Sequence, residues 1–255
     1  MRLSGLFVYP VKGLRGTALT TARVEPCGLQ GDRRWMVVDA RGRFLTQRQL
    51  PAMARLDAAL SDGALTLGMG EDRIEVAAHD ASRRMAVTVW RSRVDAALAD
   101  PAADRWLSSR LDRPCRLVFL DDPRARPIEP AHGHTGEHVS FADGFPVLLT
   151  SDSSLAALNG ALEHRIGMDR FRSNLVIDGA PAPPAWAEHD WSLLRIGGTL
   201  FRGAKPCVRC MVPGIDQHSG EIPDPGESLR TWVGSTAGRP ASSSGTTWSR
   251  WAMAA

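Results

Sequence analysis

Apolar positions over the first hundred residues fall in short runs, broken by Gly, Pro and charge, with the spacing of strands. The run RLSGLFVYPV (2–11) is one strand that stops around Pro10. RRWMVVDARGRFLTQRQ (33–49) predicts two strands around an Ala40–Arg41–Gly42 turn. GALTLGMGEDRIEVA (63–77) repeats the pattern, and MAVTVW (85–90) is a further strand. Between Asp100 and Leu111 the period changes, and Ala102, Trp106, Leu107 and Leu111 fall near one helical face. PCRLVFL (114–120) returns to strand.

A long polar stretch rich in Pro and Gly follows (121–144) and predicts a loop, of a length that usually carries function. FPVLLTSDSSLAALNGAL (145–162) predicts a strand and then a helix, capped by Ser151 or Asp152 and apolar along Leu155, Leu158 and Leu162. FRSNLVID (171–178) is a strand, and the segment 191–216 holds at least two more around Gly197–Gly198. The expected fold is mainly β with some α (α+β), its many short strands forming barrels or sandwiches. Residues 235–255 are poor in aliphatic side chains and rich in Ser, Gly and Thr, which predicts a disordered tail.

Composition narrows the function classes. A length of 255 residues suits one large or two modest domains, and 43% hydrophobic against 23% charged residues is ordinary for a globular chain. The net charge of +3 is small and its residues are spread out, which favours anionic small ligands over a nucleic-acid groove. Lys12 and Lys205 are the two lysines, so the positive charge is nearly all arginine, the better fork for phosphates and carboxylates. The N-terminus lacks the apolar core of a signal peptide and no apolar run is long enough to span a membrane, so a cytoplasmic location is expected. Four cysteines are too few for a disulfide scaffold.

Three groups carry candidate chemistry. Cys207-Val-Arg-Cys210 could bind zinc, run dithiol redox or place one thiolate on a soft metal, and Arg209 would favour the thiolate. Structural zinc wants a second such pair, which is lacking, and MVPG after the pair is a poor helix start for a thioredoxin-like site. Two buried core cysteines are the plain alternative. His132, His134, Glu137 and His138 could bind zinc or iron, against the commoner case of a solvated loop. Lys12, Arg33, Arg48, Arg170 and Arg172 stand near strand ends, and Asn174 would share a strand face with Arg172 to hold a phosphate or a pterin edge, against ordinary surface ion pairs. Neither a P-loop, a dinucleotide fingerprint nor a G-x-S-x-G elbow is present.

YPVKG (9–13), GDRRWMVVDARGRFLTQRQLPAMA (31–54), TSDSSLAALN (150–159), RFRSN (170–174) and KPCVRCMVPGID (205–216) occur in this order. Together they resemble MOSC-domain proteins with an N-terminal MOSC beta-barrel domain, a group that includes the mitochondrial amidoxime-reducing component and its bacterial relatives. The resemblance covers roughly 1–230 and implies an N-terminal barrel domain (1–120), a MOSC barrel domain (121–234) and the atypical tail (235–255). It implies a molybdopterin-type molybdenum cofactor, with Cys210 as metal ligand and Asp216 near the metal's open face as catalytic partner and proton donor. Lys12, Arg33, Thr150, Ser151, Arg172 and Asn174 would hold the pterin and its phosphate, with Arg48 added. Pyridoxal phosphate binding is a family-level association.

The implied activity is removal of oxygen from N-hydroxylated or N-oxygenated small molecules. Because no cysteine follows Cys210 to hold an iron–sulfur cluster, the electrons would come from a separate ferredoxin, flavin reductase or cytochrome-type protein. No nucleic-acid or membrane partner is expected. Family members usually finish the second barrel after the position of Leu229–Thr231, whereas here the Ser/Gly-rich tail begins. On that reading the closing strands are absent and a barrel edge is left open. The alternatives are a sulfur carrier for the cofactor, as in MOSC domains of cofactor sulfurases, and a cofactor-binding remnant without turnover.

Overall fold

The unbroken apolar run Trp35–Val38 shows how the fold is organised, because all four of its side chains are buried. Trp35 and Val37 enter one core with Leu14, Leu56, Leu67 and Leu107, while Met36 and Val38 enter another with Val87, Val118 and Phe141. A strand that is covered on both faces needs no polar alternation. The computed structural model describes residues 1–77, 79–129, 133, 135–208, 210–223 and 247–253, with the backbone alone for Asp80, Pro206, Val208 and 247–253.

The first part of the chain holds β1 (Arg2–Val8), β2 (Val11–Lys12), β3 (Thr17–Ala18), β4 (Val24–Glu25), β5 (Gly28–Leu29), β6 (Trp35–Val38), β7 (Asp57–Ser61), β8 (Ala64–Met69), β9 (Asp72–Val76), β10 (Asp80–Val89) and β11 (Ser92–Leu98). Then come α1 (Pro101–Arg110), β12 (Arg116–Phe119), β13 (Val147–Ser151), α2 (Asp152–Asn159), β14 (Leu175–Asp178), β15 (Leu193–Ile196), β16 (Thr199–Val208) and β17 (Thr247–Met253). The α+β class read from the sequence is correct.

Four sheets result. One has the order β10-β11-β12-β6-β2, another β15-β16-β17-β13-β14-β1-β3, and two smaller ones are β7-β8-β9 and β4-β5. Among the described residues no sheet closes on itself by hydrogen bonds. β1 leaves the N-terminal half to pair antiparallel with β14, so the larger sheet joins both ends of the chain. Its core combines Leu6 and Val8 with Val147, Leu149, Leu175, Ile177 and Phe201.

Local signals explain most boundaries. Asp100 caps α1 by accepting the Ala102 N–H at 2.7 Å, and Pro101 pre-sets the first turn. Ser151 caps α2 by accepting the Ser154 N–H at 3.2 Å. The turn after β6 is held by Asp39, whose carboxylate accepts the N–H groups of Arg41 and Arg43. Its second arm is two isolated bridges, Val38 to Phe44 and Arg43 to Thr88, in place of the predicted strand. β14 starts at Leu175, later than expected, because Met168–Phe171 form a 3-10 turn that ends on left-handed Arg172.

The largest departure lies in the segment read as a disordered tail. Residues 235–246 and 254–255 fall outside the described residues, but the backbone of β17 pairs with β16 on one side and β13 on the other. Low aliphatic content misled the reading, since Thr and Trp in TWSRWAM are strand formers without being aliphatic. Among the described residues no helix is long and apolar enough to cross a membrane.

Candidate functional site

β2 and the turn before β6 deliver the first two cations. Lys12 closes β2 and is followed by Gly13, whose φ of 86° only glycine adopts easily and where a Cβ would lie 2.9 Å from Met53 Cε. Arg33 has a φ of 50°, a left-handed backbone that turns its side chain toward the second half of the chain. There it donates to the Arg172 carbonyl at 3.0 Å and to Asn174 Oδ1 at 3.1 Å. Buried Asp32 anchors it at 2.5 Å, and the same carboxylate accepts the Tyr9 N–H and the Asn174 amide.

Arg172 comes from the other side, also left-handed, at φ 56°. Its guanidinium lies 4.4 Å from the Tyr9 ring centroid and that of Arg33 lies 4.6 Å from it, so one ring carries two cations. Both terminal nitrogens of Arg172 are buried without a hydrogen-bond partner. Burial, and then the nearness of Arg33, pulls its pKa down to about 10. A buried guanidinium with spare donors is costly unless an acceptor meets it, which suits an anion at this position. Tyr9 donates its hydroxyl to the Ser173 carbonyl, and burial raises its pKa to about 12, which keeps the phenol neutral.

These groups line one cavity. Lys12, Arg33, Arg48, Arg170 and Arg172 face it, with Asp143 as a carboxylate on its wall and with Cys207 and Cys210. Cys207 is buried and Cys210 is partly exposed. Lys12 Nζ is 2.5 Å from Asp143 Oδ1, and its pKa falls to about 8 because burial outweighs that pairing. Arg48 lies on the Trp90 ring at 4.7 Å. The cavity is narrow, about 120 Å³, and meets a second cleft of about 760 Å³ across Asp143 and Cys207, which line both.

The structure therefore brings together Lys12, Arg33, Arg48, Arg172 and Cys210. It directs four other expected site residues elsewhere. Thr150 is fully buried and donates to Ser173 Oγ, and Ser151 caps α2 and donates to buried Glu188. Asn174 shares no strand face with Arg172. It ties Arg33, Asp32, the Phe7 carbonyl and the Leu148 N–H into one network. Asp216 accepts the N–H groups of His218 and Ser219 and pairs with Arg170 at 3.0 Å. The Ser219 and His218 N–H groups hold its pKa below the usual carboxylate range, so it is a poor proton donor near neutrality.

Sequence reading passed over Tyr9, Asp32, Asp143 and Trp90. The chain's single tyrosine stands inside YPVKG and Asp32 inside GDRR, so their signal was present in the motifs. In the His loop, Glu137 forms a double contact with Arg202 at 2.9 Å, and His132 and His134 lie outside the described residues. So does Arg209. Among the described residues no three His, Cys, Asp or Glu side chains group as a metal site.

An arginine-lined cavity with a cysteine at its wall defines a class of site that suits an anionic ligand and could offer it one sulfur. The sequence comparisons agree. Residues 1–114 match the MOSC N-terminal beta barrel domain and residues 136–243 match the MOSC domain, so the chain is a MOSC-domain protein with the N-terminal MOSC beta barrel. It is 29% identical to mitochondrial amidoxime-reducing component 1 of Xenopus laevis, over 90% of this chain and 71% of that protein. The mouse (Mus musculus) protein of that name is also 29% identical, over 89% of this chain and 68% of its own length. Molybdenum cofactor sulfurase of Solanum lycopersicum is 26% identical over 91% of this chain, which spans only 31% of that protein.

Proposed function

We propose that this chain is a molybdenum-cofactor enzyme that reduces N-hydroxylated or N-oxygenated small molecules with electrons from a separate donor protein. One observation carries the reading: Arg172 presents two unpartnered, buried guanidinium nitrogens beside a cavity that Cys210 also lines. The residues fit a pterin phosphate cofactor. Spare arginine donors suit the phosphate or the pterin edge, surplus positive charge suits an anion, and a thiolate suits molybdenum. The narrow cavity takes the anionic end, and the adjoining cleft gives room for the rest.

Arg172 and Arg33 would hold the cofactor, and Arg48 and Arg170 would add charge at the cavity wall. Cys210 would supply the metal's protein ligand. Thr150, Ser151 and Asn174 would support this set as framework, without touching the ligand. The bound cofactor would supply two-electron exchange with the N–O group. For an amidoxime the balance is RC(=NOH)NH2 + 2e⁻ + 2H⁺ → RC(=NH)NH2 + H2O: the N–O bond breaks, nitrogen is reduced, and oxygen leaves as water. Lys12 Nζ, shared with Asp143, keeps a transferable proton near neutral pH and replaces Asp216 as the proposed proton source. The domain limits 1–120 and 121–234 remain our proposed division of the sequence.

Part-exposed Cys210 and the sulfurase relatives favour a second reading, a sulfur carrier with a persulfide on that thiol. Purified protein tested with benzamidoxime and reduced viologen separates the two. Turnover to benzamidine supports the reductase, and a gain of one sulfur in the intact mass without turnover supports the carrier. Molybdenum and pterin content are measured in the same samples. We expect both in the wild type, molybdenum lost in Cys210→Ala, and both reduced about tenfold or more in Arg172→Met. Full loading of both variants refutes the assignment.

A further inference from the structure

We propose that Trp90 is a stacking surface that selects planar aromatic substrates beside the cofactor cavity. The inference rests on the reductase reading and adds to it the substrate class and the residue that chooses it.

Trp90 forms the turn between β10 and β11 with a φ of 54°. Hairpin turns with positive φ ordinarily use Gly, Asn or Asp, and a bulky ring there is strained. The side chain is also 44% exposed, so hydrophobic burial offsets little of that strain. Strain kept in an exposed position marks a functional constraint more often than a packing need.

The ring is nevertheless fixed in place. Its Nε1–H donates to Asp143 Oδ1 at 3.0 Å, the carboxylate that also receives Lys12. Phe44 packs against it at 5.2 Å between centroids, and the Arg48 guanidinium lies 4.7 Å from its centroid. Lys12, Phe44, Arg48 and Asp143 all line the cofactor cavity, so the ring is tied to that wall.

Trp90 itself lines the adjoining cleft, with Ile128, Val139 and Phe145. At about 760 Å³ the cleft, within the usual ~300–1,000 Å³ of small-molecule sites, is large enough for a small aryl ligand as well as the part of the cofactor that the narrow cavity does not hold. Asp143 and Cys207 line both spaces, so an aryl group laid on Trp90 leaves its N–O end at their common boundary. A ring held rigid before binding costs little ordering entropy. Its face attracts flat aromatic groups and also an amidinium cation, the reaction's product. Alkyl amidoximes gain much less from such a face.

The test uses full-length, cofactor-loaded protein with benzamidoxime and acetamidoxime, reduced by viologen. Trp90→Gly keeps the left-handed turn without a ring, and Trp90→Phe restores a ring without the indole N–H. We expect Trp90→Gly to raise the benzamidoxime-to-acetamidoxime KM ratio about tenfold, and Trp90→Phe to recover most of the preference. An unchanged ratio overturns the proposal. So does a loss of molybdenum and pterin in Trp90→Gly, which would make the ring part of the cofactor's own site. If the wild type turns over neither compound, the reductase reading fails separately, and calorimetric binding of benzamidine decides the matter. Weaker binding by Trp90→Gly supports the stacking surface, and equal binding overturns it.

Discussion

Lys12 shows how one buried charge makes stability depend on pH. Burial holds it at about 8 when folded, against its ordinary 10.5. Between those values the unfolded chain carries a proton that the folded chain has lost, so stability rises with pH across that window and is flat below it. Tyr9 acts in the opposite sense, because its value rises from 10.0 to about 12 on folding and stability falls across that range. Arg172, lowered to about 10, offsets the Tyr9 fall, and the raised Cys27 and Cys115 thiols oppose the Lys12 climb. The Lys12 share is therefore read against Lys12→Met: wild type should gain on the variant in urea unfolding of cofactor-free protein from pH 8 to 10, by about 3 kcal/mol at most. A gap between the two proteins that stays constant across that window refutes the Lys12 assignment. The motifs led to Lys12, Arg33, Arg48, Arg172 and Cys210, which line one cavity. They did not reveal side-chain direction: Thr150, Ser151 and Asn174 stand within the same motifs and face the framework. Trp90 was out of reach because its partner Asp143 is 53 residues away, joined through the tertiary fold.

Ser151 is decided at the scale of the element. A residue expected to touch the cofactor is the N-cap of α2, and Ser151 and Ser154 together bind Glu188, which is buried. Ser151→Ala should therefore lower stability by about 1 kcal/mol in denaturant titration and leave molybdenum content as it was. A drop in molybdenum without a drop in stability would return Ser151 to the cofactor. Both helices could be read from sequence because caps and apolar spacing are local signals. The delayed start of β14 was hidden, since the left-handed turn at Arg172 depends on contacts with Tyr9 and Arg33 from the far end of the chain.

Over the whole molecule the two halves interlock. β1 completes the larger sheet beside β14, and β17 fills the gap between β13 and β16. A boundary drawn at 120/121 in sequence is crossed in space by the first strand. Neither connection could be read from local pattern, because both pair residues from opposite ends of the chain. Removing 247–255 would leave β13 and β16 with unpaired edges, the arrangement that invites association between molecules. We expect the truncated protein to elute as aggregates in light-scattering chromatography while the full chain does not. A truncated form that stays dispersed would show β17 to be dispensable.

Arg33 and Arg172 approach the same tyrosine from different stretches of the chain; Arg33 has Asp32 as its counter-ion, and its charge weighs on Arg172. A clasp with one arm uncompensated is looser open than shut on an anion. Heat and proteases will thus find the unloaded molecule first. On the proposed cofactor reading, how long this protein survives in a cell would then depend on how steadily that cofactor is supplied.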